Sequence, residues 1–107
     1  MEITSPIFGT LTLRPIIVSR DDGVFWFEVS TSGSPSPVRG SAIIAKHAMR
    51  QHGECGSAHE AEFRAAKAMV EMAAEQRANF AEAEALLATR NSNHAAAEAA
   101  QARLEKL

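Results

Sequence analysis

The feature that most constrains the fold is a long run, residues 57–89, that contains neither proline nor glycine. Alanine, glutamate, arginine and methionine are frequent in this run, and all four are good helix formers. At its start, Ser57 and Glu60 have the spacing of a capping box, in which the serine accepts from an amide of the first turn and the glutamate returns to the cap. The run therefore predicts one long helix over residues 58–89.

Apolar residues recur three or four positions apart along this helix and form one stripe, which predicts the face that packs on the rest of the protein. Gln76 and Arg77 interrupt the stripe, and most of its members are small. The predicted members are Phe63, Ala66, Val70, Ala73, Phe80, Ala83 and Leu87.

The front of the chain has the pattern of a β-hairpin. Residues 10–18 first alternate polar and apolar side chains and then become β-branched, and residues 24–29 are dense in aromatic and β-branched side chains. Gly23, between them, accepts the positive φ that a tight turn requires. Pro15 cannot donate to a strand ladder, so its strand is expected at a sheet edge or a bulge. Residues 3–8 are expected to add a short flanking strand.

The segment that joins the hairpin to the long helix is ambiguous. Residues 30–37 are rich in serine, proline and glycine and predict a loop. Residues 38–44 form either a third strand or, with Ser41 as the N-cap, the start of a helix. We favour the strand, followed by a short helix over residues 45–52 that ends at Gly53.

Residues 90–93 are predicted to end the long helix. A final helix is predicted over residues 94–106, and it has only a weak apolar face. We expect a single α+β domain over residues 1–90, with residues 91–107 as a C-terminal helix or a partly disordered tail. The expected fold is a three-stranded antiparallel β-meander followed by a short helix, a long amphipathic helix and a weaker C-terminal helix.

Size and charge exclude several classes of protein. A chain of 107 residues supports one modest core. The net charge of -2 lacks the positive excess of a dedicated nucleic-acid binder, so nucleic acid is an unlikely partner. We also expect no signal peptide, no membrane span and, with Cys55 as the single cysteine, no intrachain disulfide, which together predict a cytoplasmic protein.

Imidazole and thiolate side chains are concentrated between positions 47 and 59. These groups are the preferred ligands of zinc, and a flexible turn lets such side chains converge on one ion. The spacing matches no standard zinc motif, and a lone cysteine weakens a structural site. The candidate ligands are His47, His52, Cys55 and His59.

Cys55 is also a candidate nucleophile, with His52 or His59 as its base. No phosphate-binding glycine loop or nucleophile elbow accompanies this pair. We therefore expect a protein that is not an enzyme and that has no evident small-molecule substrate.

Basic side chains cluster in the same region and would contact phosphates if a nucleic acid were bound. The competing interpretation is a solvated surface that balances the acidic long helix, within one chain or between two. The basic residues are Arg39, Lys46, His47, Arg50 and His52.

The strand over residues 24–29 is apolar on both faces. Phe25 and Phe27 share one face, while Trp26 lies on the other. The long helix covers one face, so the other requires the C-terminal helix, the N-terminal segment or another chain. An uncovered Trp26 is typical of an interface anchor.

These patterns lead to a ranked expectation. The first is a non-enzymatic protein-interaction or self-association module, whose partner is itself or another protein. The second is a small regulator that binds metal or nucleic acid. The candidate interaction residues are Phe25, Trp26, Phe27, Arg39, Lys46 and Arg50.

The aromatic hairpin, the passage over residues 43–49 and the helix start at residues 62–64 resemble those of small uncharacterised proteobacterial proteins. Those proteins have a β-meander followed by helices. The resemblance covers residues 10–75 and includes no functional motif. It implies a fold and a bacterial origin, and it implies no activity.

Overall fold

The computed structural model describes residues 1–105 and contains four strands and one helix. All four strands form one antiparallel sheet, and the predicted α+β class is confirmed. The elements are β1 (Glu2–Ser5), β2 (Gly9–Ser19), β3 (Phe25–Ser32), β4 (Arg50–Cys55) and α1 (Ala58–Glu105).

The sheet is a meander in which each strand pairs with the next, in the order β1-β2-β3-β4. The predicted hairpin is the β2–β3 pair, where Val18 lies opposite Trp26. Its turn includes Gly23 at a φ of 77°, a conformation that side chains with a Cβ rarely adopt. The flanking strand is β1, which pairs only with the first part of β2.

The predicted third strand over residues 38–44 and the short helix over residues 45–52 are wrong. Residues 33–49 lack regular structure, and the strand that follows β3 is β4. A long-range contact explains the difference. Fully buried Gln76 accepts from the Ala48 N–H at 2.9 Å and donates to the Lys46 carbonyl at 3.2 Å, so these backbone groups need no helix to satisfy them.

The predicted break at residues 90–93 is also wrong, and so is the separate C-terminal helix. α1 continues without interruption to Glu105. Asparagine and serine are weaker helix formers than alanine by only about 0.7 kcal/mol or less, and neither proline nor glycine is present to stop the helix. The end of the predicted last helix, at residue 106, lies outside the described residues.

Every residue from 88 to 105 is exposed, so α1 projects beyond its last buried residue, Leu87. At ~1.5 Å per residue the projection is about 27 Å long. The molecule accordingly measures 80 × 18 × 17 Å. The alternative of a partly disordered tail over residues 91–107 stays a prediction.

The core lies between α1 and one face of the sheet. Leu11, Leu13 and Val29 are fully buried there, and Phe8 stacks on Phe80 with ring centroids 6.4 Å apart. The buried side chains of α1 are Ala61, Ala65, Ala68, Met72, Ala73, Gln76, Phe80, Ala83 and Leu87.

The predicted apolar stripe is therefore correct in its second half and wrong in its first. Phe63 and Val70 are 66% and 64% exposed, while Ala61 and Ala65 face the sheet. Alanines at the contact let a helix approach the sheet closely, because they add little volume between the two. A prediction of the buried helix face from hydropathy gives too little weight to alanines, because they are small and only weakly apolar.

Replacing Gln76 with methionine is expected to destabilise the protein by about 1–3 kcal/mol, because the Ala48 N–H is then buried without an acceptor. Urea unfolding measures this loss. Gln101→Met on the exposed end of the same helix is the matched control, with an expected change within about 0.5 kcal/mol. Equal effects at both positions would contradict the role of Gln76.

Proline at Asn93 is expected to leave the free energy of unfolding within about 0.5 kcal/mol of wild type, because the projecting segment buries no side chain. The same change at Ala74, exposed but within the packed part of α1, is expected to cost about 3 kcal/mol or more. Urea unfolding followed by Trp26 fluorescence compares the two. A large loss in both variants would show that residues 88–105 support the core.

Candidate functional site

α1 packs on one face of the sheet, and we call the opposite face of β2, β3 and β4 the outer face. Side chains alternate along a strand, so this face carries the even-numbered residues. None of them is buried. The outer face consists of Arg14, Ile16, Val18, Trp26, Glu28, Ser30, Arg50, His52 and Glu54.

The middle of the outer face is apolar. Ile16 and Val18 are 49% and 47% exposed, and Trp26 lies directly opposite Val18 on the neighbouring strand. The imidazole of His52 stacks on the indole of Trp26 with ring centroids 4.9 Å apart and planes 26° from parallel. The result is a patch of aliphatic and aromatic surface that is open to solvent.

Two ion pairs border this patch. Arg50 Nε lies 2.6 Å from Glu28 Oε1, and Arg20 Nη1 donates to Glu54 Oε1 at 2.9 Å. Exposed pairs of this kind contribute only about 0–1 kcal/mol to stability. An apolar centre with a charged border is the usual anatomy of a protein–protein interface.

The structure divides the three aromatic residues predicted for interaction. Trp26 lies on the outer face, as the period of the strand predicts. Phe27 is buried in the core, and Phe25 packs partly against it. Of the three, Trp26 alone lies on the outer face, whereas Phe27 serves the fold.

The three predicted cations lie in three different places. Arg39 is exposed next to Gly40, whose carbonyl accepts from Arg90 at 2.8 Å. Lys46 lies beside α1, where its carbonyl accepts from Gln76. Arg50 belongs to the border of the outer face. The three residues therefore belong to three different parts of the fold.

The predicted zinc ligands do not converge. His52 and Cys55 are three residues apart on β4, so they project from opposite faces of the sheet. Cys55 is buried, His59 is exposed in the first turn of α1, and His47 lies in the irregular segment. Among residues 1–105, no three His, Cys, Asp or Glu side chains are close enough together to hold a metal ion.

Arg64 is a residue that the sequence analysis missed. Its guanidinium lies 4.8 Å from the centroid of the Phe27 ring and donates to the Glu54 carbonyl at 2.7 Å and to Cys55 Sγ at 3.5 Å. Gly53 makes this approach possible, because a Cβ there would lie 2.7 Å from Arg64 Nη2. A glycine inside a strand often marks such close approach, so Gly53 was the available signal.

An open groove of about 620 Å³ runs between β4 and the first turns of α1. Arg50 and His52 line it on the strand side, and Phe63, Arg64 and Lys67 line it on the helix side. Phe63 is well exposed at this position. The groove therefore places an apolar ring and several cations beside the strand.

No protein-family model, curated protein or solved structure matches this chain. The resemblance to small proteobacterial proteins accordingly stays an expectation. α1 is long, but no stretch of helix within residues 1–105 is apolar enough to cross a membrane. Function is therefore argued from the surface itself.

Gly53→Ala is expected to destabilise the protein by about 1–3 kcal/mol, because the new methyl group displaces the Arg64 guanidinium and presses on the buried Phe27 ring. Gly56→Ala is the matched control, since its nearest neighbour, Glu60 Oε2, lies at an ordinary 3.7 Å. Chemical denaturation of both variants measures the difference. A Gly53 variant as stable as the control would show that the close approach is dispensable.

Proposed function

We propose that this chain is a non-enzymatic protein-interaction module that binds a partner protein, or another copy of itself, through the outer face. One observation carries the proposal. Within residues 1–105, no element packs on the outer face, although Ile16, Val18 and Trp26 form its centre.

The alternative within the chain was a C-terminal helix that folds back over Trp26. α1 instead continues in one direction, and Leu104 is 69% exposed near its end. The described part of the chain thus supplies no cover for the outer face. This supports a cover that comes from outside the chain.

The size of the driving force also supports this function. Burying an aliphatic or aromatic side chain of this size is worth about 1.5–3 kcal/mol. Tryptophan is among the residues that most often dominate binding energy, especially where near-neutral contacts around it exclude water. The Arg50–Glu28 and Arg20–Glu54 pairs surround Trp26 and would orient a partner by charge.

The placement of the reactive side chains favours binding over catalysis. A nucleophile and its base must lie within hydrogen-bond reach of each other. Cys55 and His52 project from opposite faces of the sheet, and the Cys55 sulfur accepts a hydrogen bond from Arg64. The outer face is an open surface and not an enclosed pocket, which also favours binding over catalysis.

Val18→Arg is expected to raise the Kd of the outer-face complex about tenfold or more, since the loss of one anchor contact is worth at least about 1.4 kcal/mol. Val70→Arg is the matched control, because Val70 is also an exposed valine, 64% exposed against 47% for Val18, and it lies on α1 away from the outer face. The measurement is the change of Trp26 fluorescence as the chain, alone or with a partner co-purified from its host, is titrated to high concentration.

The wild type and the Val70 variant are expected to show the same saturable change in fluorescence. The proposal fails if Trp26 stays equally accessible to a soluble quencher at all concentrations and with every co-purified protein. It also fails if Val18→Arg leaves the transition unchanged.

A further inference from the structure

The sheet order makes β1 and β4 the edge strands, and β2 is also open beyond its pairing with β1; these edges differ in their capacity to accept another strand. β1 is only four residues long, which limits the ladder that it can form with an added strand. β1 pairs with β2 as far as Thr12, and Met1 extends the hydrogen bonding to Leu13, so the later part of β2 has an open edge. That edge contains Pro15, which has no N–H and interrupts any added ladder. β4 is the other edge of the sheet and contains no proline.

The hydrogen-bond pattern between β3 and β4 shows which backbone N–H and C=O groups of β4 face away from β3. Thr31 N–H donates to the Met49 carbonyl, so the odd-numbered residues of this segment bond to β3. The N–H and C=O groups of Arg50, His52 and Glu54 therefore point away from the sheet. One of them, the Glu54 carbonyl, accepts from Arg64, and a carbonyl oxygen has a second lone pair for another donor.

We propose that a second copy of this chain adds its own β4 antiparallel to this edge, with His52 opposite the partner's His52. The two sheets then form one continuous sheet of eight strands, and the two outer faces become one surface. The inference goes beyond the proposed function, because it names a second copy of the chain as the partner of the β4 edge and does not need the centre of the outer face to be covered.

Charge complementarity selects this register. With His52 at the two-fold axis, Arg50 lies opposite the partner's Glu54 on the outer face, and this pair occurs twice. Arg50 uses Nε to bind Glu28, which leaves its terminal Nη groups free. Glu54 uses Oε1 to bind Arg20, which leaves Oε2 free. Arg20, Glu54, the partner's Arg50 and the partner's Glu28 thus form a row of alternating charge across the edge.

The other two-fold registers are worse. A register centred on Arg50 or on Glu54 places like charges opposite each other, which is destabilising. A register centred on Gln51 or Gly53 keeps the open groups paired but loses the Arg–Glu pairing. Only the register centred on His52 joins opposite charges and uses all three open residues of β4.

The inner side of the edge has room for the added strand. In this register, Gln51 lies opposite the partner's Gly53, which has no side chain to accommodate. The groove between β4 and α1 lies on the same side, where Phe63 is 66% exposed. Pairing would bring the second chain alongside this ring and remove it from water.

The first test changes the backbone and not the charge. His52→Pro removes an N–H that points outward, so it leaves the β3–β4 ladder intact while blocking the edge. We expect it to be monomeric in sedimentation velocity at concentrations where the wild type is dimeric. His52→Ala, which loses the stack on Trp26 but keeps the N–H, and Ser19→Pro, at the other open edge, are both expected to stay dimeric.

The second test uses charge and does not depend on the stability of the proline variant. Arg50→Glu makes the edge acidic and Glu54→Arg makes it basic, so each variant alone is expected to be monomeric. An equimolar mixture restores two opposite pairs, and native mass spectrometry is expected to show the heterodimer as the main species. A mixture that remains monomeric beside a dimeric wild type overturns the inference.

The outcomes separate the inference from the proposed function. A dimer that survives His52→Pro and both charge variants but dissociates with Val18→Arg joins outer face to outer face, and it overturns only the edge inference. An edge dimer whose Trp26 stays accessible under all conditions supports the inference and overturns the proposed function. A chain that is monomeric at millimolar concentration and binds nothing at the outer face overturns both.

Discussion

The contact between Gln76 and the segment before β4 is the interaction on which the rest of the arrangement depends. Residues 33–49 form neither helix nor strand, so their buried backbone groups need partners from elsewhere. Gln76 supplies a donor and an acceptor from the middle of α1, and Ala45 and Ala48 are buried close to it. This contact brings the chain back beside β3, where β4 can pair.

The position of β4 then determines the chemistry of the surface. Once β4 pairs with β3, the alternation of side chains sends His52 outward to stack on Trp26 and sends Cys55 inward. A metal cluster of these two side chains is excluded by that parity, while two ion pairs become possible across the strands. The pairing of β4 with β3 thus rules out a metal site that contains both His52 and Cys55, and it forms the outer face.

Local signals predicted the parts of the fold that local interactions determine. The turn at Gly23 is present, and so is the serine half of the capping box, in which Glu60 N–H donates to Ser57 Oγ at 3.1 Å. The Glu60 carboxylate accepts from the N–H of Gly56, one residue before the predicted cap. The segment before β4 was not predictable in this way, because its hydrogen bonds come from a side chain about thirty positions later. The buried alanines of α1 were missed because volume, and not hydropathy, decides that contact.

The same distinction applies to the candidate site. Period-two alternation was sufficient to place Trp26 on the opposite face from Phe27. The charged border was not predictable, since Arg20 and Glu54 meet only after two strand pairings bring them together. The centre of the outer face could therefore be predicted from the sequence, and its charged border could not.

The buried core and the proposed interaction surfaces occupy separate parts of this molecule. The core lies on the inner face and ends at Leu87, whereas the outer face and the β4 edge contribute only exposed pairs and half-covered side chains. The projection of α1 fits the same division. Starting a helix is costly, but extending one that packing has already nucleated adds a hydrogen bond for each residue ordered. Alanine-rich residues can therefore continue α1 into solvent without contributing to the core. Because the open surfaces carry so little of the folding energy, substitutions there are expected to leave the fold intact, which is a property that the proposed interaction module requires.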